Sequence, residues 1–293
     1  VAKITGARAF LHIQDYEVDA AFNLNLLKGR WIRRICLAAE RWLMRRFDVV
    51  STISSRMLEL AKLKGVSPSR LVLFPNWVNM SAFAPFGSAG MHESRTNRYR
   101  TLLGISSDET VALYSGNMGG KQGLEVLAEV AQICHARSFD KPALKFVFCG
   151  DGAGRAELVA RCAELPNVHF LKLQPAELLP DLLSFADIHL LPQRADAADL
   201  VMPSKLTGML ASARPIVATA HMDTELAAVV EGCGLVVPPE NASAMADAVL
   251  TLAGDATLRA ELGTAGRTHA MRCMDREAVL SRFEAAMLGI AYG

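Results

Sequence analysis

The chain has 293 residues, 51% of them hydrophobic and 21% charged, with a net charge of +1 at pH 7. That length and composition suit about two globular domains with sizeable cores. A balance so near neutrality gives no overall pull toward nucleic acid, and no apolar run of about 18 residues is present to cross a bilayer. The six cysteines (Cys36, Cys134, Cys149, Cys162, Cys233, Cys273) form no CxxC pair, which predicts reduced thiols in a cytoplasmic protein. The seven histidines show no metal-ligand spacing.

The chain opens on Val1 rather than methionine, and Val1–Arg8 reads as a helix tail with a glycine stop. A preceding N-terminal part is therefore expected. The first strand, Arg8–Ile13, ends in His12-Ile13-Gln14-Asp15. Polar residues beyond a strand's carboxyl end sit where open α/β sheets bind ligands, although a solvated loop has the same composition. Residues Lys28–Phe47 set Lys28, Arg30, Arg33, Arg34, Arg41, Arg45 and Arg46 around Trp31, Ile32, Ile35, Trp42 and Leu43. This predicts a basic amphipathic helix, suited to a membrane surface or an anionic lipid-linked partner, or else a plain surface helix. A strand at Asp48–Ser51, a helix at Ser54–Leu63 and a strand at Arg70–Phe74 follow, and Pro75-Asn76 supplies a turn. Residues 86–100 lose apolar periodicity and are read as a boundary. It separates a first domain at 1–88 from a second at 105–274, and a closing helix occupies 275–293.

The second domain alternates strand and helix, which predicts a parallel sheet wrapped by right-handed crossovers. Its strands are read at Val111–Tyr114, Leu144–Cys149, Val168–Leu171, Asp187–Leu191, Pro215–Thr219 and Gly234–Val237. Its helices are read at Gly123–Arg137, Arg155–Leu165, Glu177–Phe185, Pro203–Ser212, Ala242–Leu252 and Ala256–Met271, with the closing helix at Asp275–Leu288. Asp187-Ile188-His189 lies on a strand and reads as core rather than metal site.

Three loops follow strands of this domain. Gly116-Asn117-Met118-Gly119-Gly120-Lys121-Gln122-Gly123 is neither a P-loop nor a Gly-x-Gly-x-x-Gly turn. Read alone, it is a plain strand-to-helix turn or an anion site. Gly150-Asp151-Gly152-Ala153-Gly154 sets a carboxylate between glycines, where a base or ribose could approach. Pro192–Lys205 ends in Pro203-Ser204-Lys205 at a helix start. Two helix N-termini with Lys121 and Lys205 facing one crevice suit a diphosphate.

The order of Gly116…Lys121-Gln122-Gly123-Leu124-Glu125, Phe148-Cys149-Gly150-Asp151-Gly152, Pro203-Ser204-Lys205-Leu206…Arg214-Pro215 and Gly234-Leu235-Val236-Val237-Pro238 resembles glycosyltransferase family 4. His12…Asp15, Ser51-Thr52-Ile53-Ser54 and Pro75-Asn76-Trp77-Val78-Asn79 resemble the closing half of that family's acceptor domain. His12–Phe22 is most similar to bacterial enzymes of exopolysaccharide and O-antigen assembly, of colanic-acid and fucosaminyltransferase type.

The resemblance implies an α/β GT-B fold of two Rossmann-like domains, the first incomplete. It implies sugar transfer with retention from a UDP- or GDP-linked donor to a lipid-linked or saccharide acceptor. No other cofactor, no metal and no nucleic acid is implied, and the location is the cytoplasm, at the inner membrane face. By the same resemblance His12 and Lys121 are catalytic. Gly116, Asn117, Gly119, Gly120, Lys121, Gly150, Asp151, Gly152, Asp199, Pro203, Ser204, Lys205 and Leu206 bind the donor. The family's loop arginine and lysine correspond here to Asn117 and Gln122, with Lys121 one place earlier. Its two glutamates correspond to Leu200 and Gly208, and Asp196 and Asp199 are the nearby substitutes. A donor-binding module without transfer activity and a GT-B nucleotide-sugar epimerase are the alternatives. A Rossmann oxidoreductase is disfavoured by the missing Gly-x-Gly-x-x-Gly.

Overall fold

The computed structural model describes residues 5–16, 18–19, 22, 29–83, 98–119, 122–137, 143–195 and 202–292, the last three by backbone alone. Gly120, Lys121, Asp196, Asp199 and Leu200 lie outside these residues, as does most of 86–100. The chain divides into two units. One comprises Val1–Trp77, Asp196–Pro203 and Cys273–Gly293, and the other Val78–Ala195 and Ser204–Arg272.

In the first unit, strands β1 (Phe10–Ile13), β2 (Val49–Thr52) and β3 (Leu71–Leu73) pair in parallel in that order. β1 begins at Phe10 rather than Arg8, because the Ala9 N–H is held by the Asp48 carboxylate, 2.7 Å away. The central strand β2 is buried at every position. Tyr16, Met44, Val50, Ile53 and Met57 form the core around it. The helix Ser55–Leu63 starts at Ser54, whose side chain accepts the Met57 N–H at 3.2 Å, an N-cap that satisfies an otherwise orphaned donor. The helix Arg30–Met44 turns Met44 into the core, while Glu40 and Asp19 both pair with the buried Lys64. The closing helix, Arg276–Tyr292, belongs to this unit, and its Phe283 stacks on Phe74 with ring centroids 4.0 Å apart.

The second unit is built on β4 (Thr110–Ser115), β5 (Leu144–Cys149), β6 (Val168–Leu171), β7 (Ile188–Leu191), β8 (Ile216–Thr219) and β9 (Gly234–Val237). They form one parallel sheet in the order β6-β5-β4-β7-β8-β9. All six residues of β4 are buried, as expected of a central parallel strand covered on both faces. From β4 the chain adds β5 and β6 on one side, then crosses back to add β7, β8 and β9 on the other. The order reverses between β4 and β7, so the loops leaving those two strands run apart and open a crevice at their carboxyl ends. That reversal places the site.

Several helices differ from expectation at their ends, and two of these differences have a visible cause. The helix from Arg155 ends at Arg161 rather than Leu165, where the Cys162 N–H turns to the Leu158 and Val159 carbonyls. The helix expected from Pro203 begins at Lys205, with Ser204 as its cap, so Pro203 precedes the first turn instead of occupying it. His189 is fully buried on β7 and bonds Ser212 Oγ at 2.8 Å, in keeping with the core reading of Asp187-Ile188-His189. All six cysteines are free thiols.

Candidate functional site

At the carboxyl ends of β4 and β5 the two glycine loops are fastened to each other. The Gly116 N–H donates to the Cys149 carbonyl at 3.0 Å, the Met118 N–H to the Asp151 carbonyl at 2.8 Å, and the Gly154 N–H to the Met118 carbonyl at 2.7 Å. Glycine is required at the crossing. Gly150 has φ +152°, and a Cβ there would lie 1.9 Å from the Gly116 carbonyl oxygen. Gly152 has φ +146°, and a Cβ there would lie 2.7 Å from Asn117 Oδ1 and from the Met118 backbone. The fully buried Met118 side chain anchors the loop from below. Two loop N–H groups expected to face an anion, those of Gly116 and Met118, are thus engaged in holding the loops together.

Lys205 completes the arrangement from the segment after β7. Its Nζ lies 3.5 Å from where a Cβ on Gly116 would stand, and 4.5 Å from the centre of the Tyr114 ring. It donates to the Tyr114 hydroxyl at 3.3 Å, and that hydroxyl donates to the Asn117 carbonyl at 2.6 Å. Burial alone pushes the Lys205 ammonium down to about 8. Burial also raises the Tyr114 phenol, which keeps its proton and remains a donor. A desolvated ammonium is a strong attractor for an anion.

Tyr114 is therefore the post between lysine and loop. Nothing in the residue order distinguishes this role, since an aromatic closing an apolar strand reads as core. Tyr114→Phe keeps the ring and removes both hydrogen bonds. It is expected to cost about 1 kcal/mol of stability, read by thermal unfolding.

The remaining expected residues are placed as follows. Asp151 turns its carboxylate back to accept the Gly152 N–H at 2.8 Å, so it shapes its own loop while staying exposed. Gly119 is close to Gln122, whose Oε1 would lie 3.1 Å from an added Cβ. Leu206 is buried, and the Ser204 carbonyl accepts from Thr207 Oγ1 at 3.0 Å. Gly208, matched above to a family glutamate, faces Leu183: a Cβ would come within 2.9 Å of Cδ1, so glycine there serves helix packing. A crevice of about 280 Å³ between the helix start after β4 and the segments after β7 and β8 carries Glu125, Glu129 and Glu240 beside Arg194, a lining that disfavours a diphosphate.

His12 belongs to the first unit, on β1. Its Nδ1 is 2.9 Å from Ser51 Oγ and its Nε2 is 2.8 Å from Gln14 Nε2. An amide nitrogen can only donate, so with this amide orientation Nε2 accepts and Nδ1 carries the proton. Burial lowers the His12 pKa, which keeps the ring neutral at pH 7. Among the described residues no group of three or more His, Cys, Asp or Glu could hold a metal ion.

Comparison with known proteins places the chain in a family. Residues 109–255 match the family described as glycosyl transferases group 1, and residues 1–77 match the glycosyl transferase 4-like domain. The chain is 38% identical over 291 residues to WcaI of Escherichia coli (strain K12), a protein named for colanic acid biosynthesis and glycosyl transfer. That match covers 97% of this chain and 68% of WcaI. It is 26% identical over 226 residues to the alpha-D-kanosaminyltransferase of Streptomyces kanamyceticus, covering 75% of this chain and 55% of that protein. Among solved structures, HepE of Anabaena in complex with UDP and glucose superposes with a TM-score of 0.77 at 16% identity, covering 98% of this chain and 73% of that one. The sucrose-phosphate synthase of Thermosynechococcus elongatus superposes with a TM-score of 0.73 at 22% identity, covering 97% and 68%. These structural likenesses speak to fold, which is of GT-B type. The chain belongs to the group 1 family of glycosyl transferases.

Proposed function

We propose that the chain transfers a sugar, with retention of configuration, from a UDP- or GDP-linked donor to a lipid-linked or saccharide acceptor in bacterial polysaccharide biosynthesis. The observation that carries the reading is Lys205, a desolvated cation set against Gly116 at the reversal of the strand order. The similarity to WcaI supports the pathway, and the UDP held by HepE supports the donor class.

In this reading the donor diphosphate lies against the Gly116–Lys121 loop and Ser204-Lys205-Leu206. The bond from sugar C1 to the phosphate oxygen breaks, and its electron pair leaves with the nucleoside diphosphate. The acceptor hydroxyl forms the new bond to C1 from the same face, and its proton passes to the departing phosphate or to water. Lys205 and Lys121 offset the charge that builds on the leaving group. Gly150 and Gly152 hold the loop, and Asp199 takes a donor hydroxyl. In the first unit, His12 is assigned a hydroxyl of the donor sugar. A lipid-linked acceptor would bring the reaction to a membrane surface.

Calorimetric titration with UDP and GDP tests the donor class, and incubation with UDP-sugars, with and without saccharide acceptors, tests transfer. Binding of one nucleotide, with release of free nucleotide only when acceptor is present, is expected. An isomerised sugar formed without acceptor would instead identify an epimerase, and no nucleotide binding would overturn the reading. Asp199→Ala is expected to weaken donor binding about tenfold, the loss of a hydrogen bond to a buried hydroxyl. An unchanged titration would remove Asp199 from the site.

A further inference from the structure

The helix Arg30–Met44 buries only Met44 among its fifteen residues. Its inward side is set by Met44 in the core and by Glu40 on Lys64. Trp31, Ile35 and Trp42 recur at spacings of four and seven, which puts them on one line of the helix, on the side away from Glu40 and Met44. They are 78%, 65% and 59% exposed, and Ile32 and Leu43 beside them are 51% and 49% exposed. A helix that only covers a sheet turns its tryptophans inward, because they carry the largest apolar area. Here two tryptophans point to solvent.

Charge identifies what they meet. Arg30, Arg34 and Arg41 flank the stripe, and Arg45 and Arg46 follow it directly. The Arg46 guanidinium lies 4.5 Å from the centre of the Trp42 ring. The helix's single acidic residue, Glu40, is neutralised by Lys64. No helix among the described residues is long and apolar enough to cross a membrane. An apolar stripe with tryptophans, edged by arginines and lacking a free acid, fits the boundary between acyl chains and anionic headgroups. A purely electrostatic partner would leave the stripe unmet, and a neutral apolar partner would leave the arginines unmet. Because Lys64 ties Glu40 and Asp19 together, the helix is already oriented before anything binds.

We infer that this helix docks the protein in the plane of an anionic phospholipid surface, with Trp31, Ile35 and Trp42 inserted and the arginines on lipid phosphates. The inference stands on the first unit's helix and not on the donor site, so a vesicle assay and a nucleotide titration fail separately.

The test is flotation of the protein with phosphatidylcholine vesicles, with and without about 30% phosphatidylglycerol. Partitioning is expected to rise at least about tenfold with the anionic lipid and to fall steeply in high salt. The Trp31→Ser/Trp42→Ser and Arg34→Glu/Arg41→Glu variants are each expected to lose it by about tenfold or more, with unchanged thermal unfolding because the altered residues are exposed. Failure to float with anionic vesicles would overturn the inference, as would equal binding to neutral ones. A dimer seen by sedimentation and abolished by Trp31→Ser/Trp42→Ser would also overturn it, since the stripe would then belong to a second copy.

Discussion

Gly150→Ala is expected to destabilise the second unit and abolish nucleotide binding together. The new Cβ would stand 1.9 Å from the Gly116 carbonyl oxygen, at a φ of +152° that L residues rarely adopt. Neither loop can give way without breaking the hydrogen bonds that join Gly116 to Cys149 and Met118 to Asp151 and Gly154. Backbone strain and overpacking each cost about 1 to 3 kcal/mol, so a combined loss of about 4 kcal/mol is expected, or about 10 °C in melting temperature. Gly254→Ala is the control. That glycine ends the helix Ala242–Gly254, and a Cβ there meets nothing within 4 Å. It should leave the protein unchanged or slightly more stable, because alanine is the better helix former. Thermal unfolding of both variants, with UDP titration, checks the pair. Equal behaviour would mean that the glycine crossing is not needed.

Lys205→Ala is expected to reduce donor turnover by about a hundredfold to a thousandfold, the range seen when one donor to a developing anion is removed. It should also change the pH dependence. In the free protein the Lys205 ammonium titrates at about 8, because burial disfavours its charged form. Below that value the lysine is charged and attracts the diphosphate. As pH rises through it the proton is lost, and UDP affinity falls toward a tenfold loss per pH unit. The Tyr114 phenol is pushed upward and the Cys149 thiol is raised to about 11, so neither titrates in the same window. Lys205→Ala should bind weakly at every pH with the slope between pH 7 and 9 removed. A wild-type affinity that is flat over that window would mean the ammonium does not meet the phosphate.

The sequence carried the framework because its signals are local. A buried parallel strand must be apolar throughout, so Thr110–Ser115 shows itself, and a crossing as close as Gly150 on Gly116 tolerates only glycine. Lys205 was visible as a lysine at a helix start. Its desolvation was not, because that depends on Tyr114 and Gly116 being brought over it from a strand some 90 residues earlier in the chain. Tyr114 was hidden for the same reason. The helical period of Arg30–Met44 was legible, but which apolar residues face outward depends on Lys64 gripping Glu40, a contact between helices. Gly208 matched a glutamate position by order alone, and only the packing on Leu183 shows why glycine stands there.

A crystal structure of the protein with UDP bound tests the diphosphate assignment most directly. Phosphate oxygens are expected within hydrogen-bond distance of Lys205 Nζ and against the backbone of the Gly116–Lys121 loop. Phosphates found in the crevice walled by Glu125, Glu129 and Glu240, or anywhere away from Lys205, would contradict it.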